Sequence, residues 1–252
     1  GLRRLLLQIF DKNKNIFTEF FNSSILKKEG LIELNKSVYM VHNPIDQFSI
    51  DTALYRLKFN EHFFLQLLKA LNKKKIESYQ GKEYKELGKY AIEIYKSLNF
   101  TLTNSQIKSL RDIRSDLKLK KPMNRLIQGD VGCGKTIVAV ITAAIIVGHN
   151  SQVAIMAPTE ILAEQHYISF EKHFKNYDIN CELLISNVNQ KDKNKIYENL
   201  QNGRIDIIVG THALIQEKVN FKDLGLVIID EQHKFGVNQR KGLLDKGENP
   251  NV

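Results

Sequence analysis

Residues 129–136 read Gly-Asp-Val-Gly-Cys-Gly-Lys-Thr and fit the pattern G-x-x-x-x-G-K-[ST] of a phosphate-binding loop. The glycines let the backbone turn tightly, so that successive N–H groups point toward an anion. The lysine can reach the β- and γ-phosphates, and the threonine hydroxyl can bind Mg²⁺. We therefore expect ATP-Mg²⁺ to contact the whole loop, with the lysine also catalytic and the threonine also a metal ligand: Gly129, Asp130, Val131, Gly132, Cys133, Gly134, Lys135 and Thr136.

The segments on either side of this loop have the character that the motif requires. A strand-like run occupies 123–128, and an almost unbroken apolar stretch of Ala, Val and Ile occupies 136–147 before Gly148. The second stretch predicts a buried helix whose positive N-terminal end faces the phosphates. The alternative, a glycine-rich turn that matches the motif by chance, does not require a strand before it and a helix after it.

An acidic pair follows a second buried run. The run at 224–229 is continuously apolar, as a strand covered on both faces requires, and it ends in Asp230 and Glu231. Open parallel sheets bind ligands at the carboxyl ends of their strands. We expect Asp230 to hold Mg²⁺ and Glu231 to act as the general base, with both meeting the phosphate-binding loop across adjacent strand ends. The plainer alternative is a surface acidic pair.

Strand-like and helix-like segments alternate between these landmarks. Strands are predicted at 152–157, 182–185 and 205–209, and helices at 160–174 and 191–200. This order predicts an α/β fold with a mostly parallel sheet, in one domain over 99–252.

The first part of the chain, 1–98, has a different pattern. Apolar residues recur with helical spacing over 52–71 and 84–98, and shorter helices fit 2–10 and 34–42. The Lys-rich stretch at 72–80 is predicted to be an exposed turn. We interpret 1–98 as a helical linker region that precedes the α/β domain.

Several motifs together resemble those of superfamily 2 helicases with a RecA-like motor lobe. Residues 157–166 and 210–214 resemble the motifs that grip a nucleic-acid backbone, and 100–106 resembles the motif that receives adenine. Residues 230–240 are similar to a DEQH-R-F-G-V-x-Q-R signature of the RecG helicases, with Lys234 in place of the usual Arg. Residues 56–61 resemble the helical linker of that family.

The resemblance implies a role for individual residues. Phe100 would stack on adenine and Gln106 would hydrogen-bond to it. Residues that would contact the DNA backbone are Pro158, Thr159, Glu160, Thr211 and His212. For Thr159 and Thr211 the plainer interpretation is helix capping. Residues that would couple ATP hydrolysis to movement are Gln232, His233, Gln239 and Arg240.

The activity that the resemblance implies is that of an ATP-dependent DNA helicase or translocase acting on branched DNA, such as forks and Holliday junctions, in repair and recombination. Two alternatives stay open: a transcription-repair coupling translocase, and a non-catalytic, nucleotide-gated DNA-binding module. Gln232 and the stretch at 56–61 favour the RecG interpretation.

Some parts of the family pattern are not in the sequence. The next coupling motif, the second RecA-like lobe with its arginine finger, and the wedge domain that splits branched DNA are missing. An arginine finger contributes roughly 10³–10⁵ in rate in related phosphoryl-transfer enzymes. We therefore expect an internal fragment of a longer helicase that hydrolyses ATP negligibly alone.

The composition agrees with a polyanionic partner. There are 37 Lys and Arg against 28 Asp and Glu, a formal net charge of +9, although basic clusters such as 73–75 also solvate a surface. No apolar run reaches the roughly 18 residues of a membrane span, so no membrane partner is expected. Two cysteines do not form a disulfide framework, which favours the cytoplasm.

One of the two cysteines lies inside the phosphate-binding loop. Cys133 stands at the predicted helix N-terminus beside Lys135, an environment that activates thiols. Either its thiol is reactive and ATP protects it, or it is a small residue that the loop tolerates.

Overall fold

A computed structural model describes residues 2–12, 16–77, 79–130 and 132–252 of the chain. The chain divides into two compact units, Gly1–Lys75 and Ile76–Val252. The first is built from helices and the second contains a sheet. Val131, one of the expected nucleotide contacts, lies outside the described residues.

The first unit contains four described helices: α1 (Leu2–Lys12), α2 (Ser23–Lys28), α3 (Leu34–His42) and α4 (Gln47–Glu77). The helices expected near 2–10, 34–42 and 52–71 are confirmed. The turn expected at 72–80 is wrong, because α4 continues to Glu77. Lys, Leu and Asn with no Gly or Pro allow a helix to continue, and lysine in particular favours helix.

A buried arginine holds the first unit together. Arg56 on α4 is fully buried, and its Nη2 donates to Glu19 Oε1 at 2.7 Å. Its Nη1 donates to the carbonyl of Ile32 and its Nε to Oδ1 of Asn60, each at 3.0 Å. The guanidinium also lies 4.9 Å from the ring centroid of Phe21. The charge is therefore fully paired, as a buried charge must be.

The second unit is a three-layer α/β domain. Its four described strands form one parallel sheet in the order β2-β3-β1-β4. This confirms the predicted fold class. The elements are α5 (Gly88–Ser97), α6 (Asn104–Leu117), α7 (Lys135–Val147), β1 (Gln152–Met156), α8 (Glu160–Phe174), β2 (Cys181–Leu184), α9 (Gln190–Gln201), β3 (Ile207–Gly210), β4 (Leu224–Ile229) and α10 (Val237–Leu244), with short 3₁₀ helices at His212–Ile215 and Gln232–Lys234.

Side chains on the two faces of the sheet enter two separate cores. On β1, Val153 and Ile155 pack in the core that includes α7, whereas Ala154 and Met156 pack in the core that includes α9 and α10. The strand is buried along its whole length. Helices on both faces explain why the strands have continuous apolar runs rather than alternating ones.

The agreement with the predicted elements is closest where the pattern is most regular. The bounds of α8 and β4 are as predicted, while β2 and β3 are displaced by one or two residues. Helix α6 was not predicted. Within the described ranges, no helix is long and apolar enough to cross a membrane.

The segment before the phosphate-binding loop differs from expectation. Residues 123–128 form no strand. Val252 N–H donates to the carbonyl of Met123 at 2.9 Å, and Arg125 N–H donates to the carbonyl of Val252 at 3.0 Å. Asn251 in turn pairs with Leu226 on β4. The expected adjacency of the two strand ends is therefore wrong, because the segment 251–252 lies between them.

Candidate nucleotide and nucleic-acid site

The phosphate-binding loop has the backbone that its glycines were expected to provide. Gly132 and Gly134 have φ values of +80° and +79°, in the left-handed region that favours glycine. Gly134 is the N-cap residue of α7, and the N–H of Cys133 closes a turn on the carbonyl of Asp130 at 3.3 Å. The first N–H groups of α7 have no partner within the helix, which makes this end suited to an anion.

Lys135 is folded back over the loop. Its Nζ donates to the carbonyl of Gly129 at 2.7 Å and to that of Asp130 at 2.8 Å, and it lies 3.8 Å from Sγ of Cys133. Thr136, half-buried, follows in the first turn of α7. The ammonium group is thus hydrogen-bonded to carbonyls of the loop that is expected to bind phosphate.

The motif expected to receive adenine contacts the phosphate-binding loop directly. Gln106 forms a capping box with Thr103 at the start of α6, where its Oε1 accepts the N–H of Thr103 at 2.9 Å. Its Nε2 donates to the carbonyls of Cys133 at 3.0 Å and of Gly134 at 3.3 Å. Phe100 is half exposed, ahead of α6. The side chain of Gln106 therefore fastens α6 to the loop.

Asp230 stands at the carboxyl end of β4, where its N–H donates to the carbonyl of Met156 at 3.0 Å. The ring Nε2 of His166 lies 2.8 Å from Oδ2, and the N–H of Glu231 donates to Oδ1 at 3.0 Å. The hydrogen bond from His166 lowers the pKa of Asp230, burial opposes the shift, and the positive charge of Lys135 adds to the lowering. The charge of the loop lysine thus favours the ionised form of the carboxylate.

Glu231 has an unusual backbone conformation. Its φ of +50° and ψ of 48° place a residue with a side chain in the left-handed region. Non-glycine residues in this region cost about 1–3 kcal/mol and cluster at functional sites. The side chain is exposed, and its Oε2 lies 3.2 Å from Nε2 of His233. The carboxylate is therefore directed away from the core.

A cleft of about 510 Å³ brings the acidic pair together with most of the expected DNA contacts. Two neighbouring strand ends and the segment after β4 form its walls. Its lining residues are Pro158, Thr159, Leu162, His212, Asp230, Glu231, Lys234, Phe235 and Gln239.

The two threonines expected to contact DNA differ in exposure. Thr159 is exposed, and its hydroxyl caps α8 by accepting the N–H of Leu162 at 3.3 Å. Thr211 is only 2% exposed, and its hydroxyl has no hydrogen-bond partner within the part of the chain that the structure describes. Its side chain is therefore inaccessible to a nucleic acid in this conformation. Glu160 accepts the N–H of Ser186 at 2.9 Å, which anchors the first turn of α8.

The four expected coupling residues lie in the segment after β4, and two of them are hydrogen-bonded to each other. Arg240 Nη1 donates to Oε1 of Gln232 at 3.1 Å, and Oε1 of Gln239 accepts the N–H of Gly236 at 3.0 Å at the start of α10. His233 is exposed beside Glu231. The segment is thus a small folded unit next to the cleft.

One contact of the site was missed from the sequence. His166 belongs to a stretch that resembles a backbone-gripping motif, but no role was expected for it. Leu162, one turn earlier on the same face of α8, lines the cleft. The spacing of four residues was the available signal, because it places both side chains on one helical face.

The described residues contain no group of three or more His, Cys, Asp or Glu side chains that could hold a metal ion. Magnesium in phosphate-transfer sites needs fewer protein ligands, because it keeps waters and binds substrate phosphates. One hydroxyl and one carboxylate, as Thr136 and Asp230 supply, fit that requirement.

Together these features define the class of the protein. A parallel sheet, a glycine-rich loop that opens a buried helix, and an acidic pair at a strand end are typical of a P-loop motor lobe. The family model of the DEAD/DEAH box helicases matches residues 103–247, more than half of the chain. The chain belongs to the DEAD/DEAH box helicase family.

Curated relatives confirm the resemblance to RecG helicases. The ATP-dependent DNA helicase RecG of Thermotoga maritima is 46% identical over 89% of this chain and 29% of its own length. RecG of Bacillus subtilis is 41% identical over 100% of this chain and 37% of its own length. The chain thus spans about a third of the length of these relatives.

Solved structures confirm the RecA-like fold. A structure of RecG bound to a three-way DNA junction has a TM-score of 0.76 and 42% identity, covering 93% of this chain and 33% of that chain. A hypothetical ATP-dependent RNA helicase from Sulfolobus tokodaii, at 18% identity and a TM-score of 0.50, covers 65% of this chain and 48% of its own and shares only the fold.

Proposed function

We propose that this chain is the ATP-binding motor lobe of a RecG-type DNA helicase that acts on forks and Holliday junctions in repair and recombination. The observation that carries the proposal is the presence, in one parallel-sheet unit, of a glycine-rich loop that opens α7 and an acidic pair at the carboxyl end of β4. A loop that holds a triphosphate needs an acidic group at this position. Identity to RecG helicases over most of the chain supports the choice of DNA as substrate.

Within this proposal the loop residues hold ATP. The N–H groups at the start of α7 take the phosphate oxygens, and Lys135 exchanges its carbonyl partners for the β- and γ-phosphates. Thr136 and Asp230 would hold Mg²⁺, which would neutralise phosphate charge when bound. Glu231 orients and deprotonates the attacking water. Phe100 would stack on adenine and Gln106 would hydrogen-bond to it, and the two carbonyl contacts of Gln106 would connect the nucleotide to the phosphate-binding loop.

The DNA backbone would bind along the cleft beside the acidic pair. The exposed N-terminus of α8 offers N–H groups and a positive dipole end to a phosphate. Pro158, Thr159 and Glu160 form this corner, and His212 adds an exposed ring. Thr211 contributes through its backbone only, because its side chain is buried. Such contacts follow a backbone without selecting bases.

The segment 232–240 would couple ATP hydrolysis to movement. Gln232 and Arg240 are joined to each other directly after the acidic pair, and Gln239 lines the cleft. His233 contacts Glu231. These contacts would connect the acidic pair to residues that line the cleft.

The rest of the protein would supply the remaining parts. In the proposed function, a second RecA-like lobe and a wedge domain lie in the two thirds of the relatives' length that this chain does not span. A cytoplasmic location is part of the proposal, supported by the free state of Cys133 and Cys181.

The function is tested with the full-length protein that contains this chain. We expect ATP hydrolysis to rise when a synthetic fork or four-way junction is added. Lys135→Ala should abolish hydrolysis and still bind the junction, while Lys191→Ala, an exposed lysine of α9, should behave as wild type. ATP hydrolysis that ignores DNA, or that survives Lys135→Ala, would contradict the proposal.

A further inference from the structure

A hydrogen bond joins α8 to the carboxylate at the end of β4. The ring Nε2 of His166 lies 2.8 Å from Oδ2 of Asp230, and their side chains are 20% and 30% exposed. An ionised carboxylate only accepts hydrogen bonds, so Nε2 is the donor. The contact spans 64 residues of sequence. It is therefore a product of the fold and not of local chain geometry.

The same carboxylate is held at its second oxygen. Oδ1 accepts the N–H of Glu231 at 3.0 Å, so that one donor on each oxygen fixes the plane of the carboxylate. Among the residues that the structure describes, no further donor reaches the carboxylate, so each oxygen keeps a free lone pair of the roughly four acceptor sites that a carboxylate offers. Without the ring, Asp230 would keep a single hydrogen bond from its own neighbour and could rotate about its side-chain bonds.

Helix α8 extends from the expected DNA contacts to this carboxylate. Thr159 caps its first turn, Leu162 lines the cleft, and His166 follows one turn after Leu162. Glu160 anchors the first turn to the segment after β2. A shift of α8 would therefore move the ring of His166 and with it the hydrogen bond to Asp230.

We propose that His166 is a positioning residue that holds the Asp230 carboxylate toward the phosphate-binding loop and ties its orientation to the position of α8. The inference rests on the proposed function, because it takes Asp230 as the group that faces Mg²⁺. This role requires residue 166 to place an N–H donor as far from the backbone as Nε2 of histidine. Partners of metal-binding groups typically contribute about 10–100-fold in metal affinity or activity.

The test compares two amides in the full-length protein. In His166→Gln the amide nitrogen replaces Nε2 at similar reach, whereas in His166→Asn it is one methylene too short to contact Asp230. The half-buried His173, two turns along α8, provides the control variant His173→Ala. The readouts are the tightening of ADP binding by Mg²⁺, and kcat and KM for ATP with saturating junction DNA.

We expect His166→Gln and His173→Ala to resemble wild type. His166→Asn should lose about tenfold or more in kcat and in the Mg²⁺-dependent tightening of ADP binding, with junction binding and KM for ATP little changed. Equal behaviour of the Gln and Asn variants, whether both active or both impaired, would overturn the inference. A wild-type protein without DNA-stimulated hydrolysis would instead reject the proposed function, while the ADP measurement would still report on His166.

Discussion

Each unit contains a carboxylate that contacts a side chain of a helix: Glu19 contacts Arg56, and Asp230 contacts His166. The two carboxylates differ in the number of hydrogen bonds that they accept. Glu19, in the helical unit, accepts hydrogen bonds from Arg56 at 2.7 Å and from three backbone N–H groups, those of Phe20, Phe21 and Leu34. Asp230, in the α/β unit, accepts one from His166 and one from Glu231. Both have a lowered pKa.

The difference lies in the acceptor capacity that is left. Glu19 uses its acceptor sites on the fold, and its partner Arg56 is completely buried with its other donors paired to Ile32 and Asn60. Asp230 is half-buried and accepts two hydrogen bonds from the described residues, which leaves a lone pair on each oxygen. A saturated carboxylate stabilises a structure, and an incompletely saturated one at a strand end is free to bind a ligand.

The largest expected effect is on ATP hydrolysis, which should depend on Asp230 and not on Glu19. Asp230→Asn should lower kcat for ATP about 10³-fold, the upper range for removing one preorganised electrostatic group, while leaving the α/β unit folded. Glu19→Gln, the same chemical change, should leave kcat as it is. Steady-state hydrolysis with junction DNA measures both. Equal loss in the two variants would remove the distinction between the carboxylates.

The next largest expected effect is on the stability of the helical unit, which contains Glu19. Arg56→Met should destabilise the helical unit by about 3 kcal/mol, because Glu19 then loses its charged partner inside the structure. Lys58→Met, on an exposed position of the same helix, is the control. Hydrogen exchange of peptides covering 16–60 reports the change. Unaltered protection in Arg56→Met would show that the ion pair does not hold the unit.

A smaller effect should appear with pH. Burial opposes ionisation of Glu19, but the hydrogen bonds from Arg56, Phe21 and Leu34 outweigh it and lower its pKa below the ordinary value of 4.5. The stabilisation is therefore complete above pH 4.5 and is lost as pH falls through the lowered pKa. Exchange protection of the helical unit, corrected for intrinsic rates, should fall in that window. Glu19→Gln should flatten the dependence, and an unchanged slope would count against it.

The smallest effect tests whether the space facing Asp230 takes a nucleotide. Cys133 is exposed in the phosphate-binding loop, whereas burial raises the pKa of Cys181 to about 12. N-ethylmaleimide should therefore label Cys133 and spare Cys181, and ATP-Mg²⁺ should slow the labelling of Cys133 severalfold. Equal rates with and without ATP-Mg²⁺ would place the nucleotide elsewhere.

Much of the α/β unit could be predicted from the sequence, because its elements are set by local patterns. Strand β4 coincides with a continuous apolar run, and α8 begins after a capping threonine that follows Pro158. The turns of the phosphate-binding loop follow from Gly132 and Gly134, which adopt the left-handed conformation. Each of these features is decided within a few residues of sequence.

Features that depend on distant partners could not be predicted. The length of α4 beyond residue 71 depends on a Lys-rich stretch whose polarity favours a turn and whose helix propensity favours continuation. The segment 123–128 hydrogen-bonds to Val252 near the other end of the α/β unit, and the burial of Thr211 depends on packing. The contact between His166 and Asp230 requires the whole arrangement of α8 and β4.

The central claim is that the phosphate-binding loop and the Asp230–Glu231 pair form one ATP-Mg²⁺ site. The most direct measurement is a crystal structure of this chain with a non-hydrolysable ATP analogue and Mg²⁺. The account predicts the triphosphate on the N–H groups of the loop and at the start of α7, with the metal between Thr136 and Asp230. A triphosphate bound away from the loop, or a metal remote from Asp230, would contradict it.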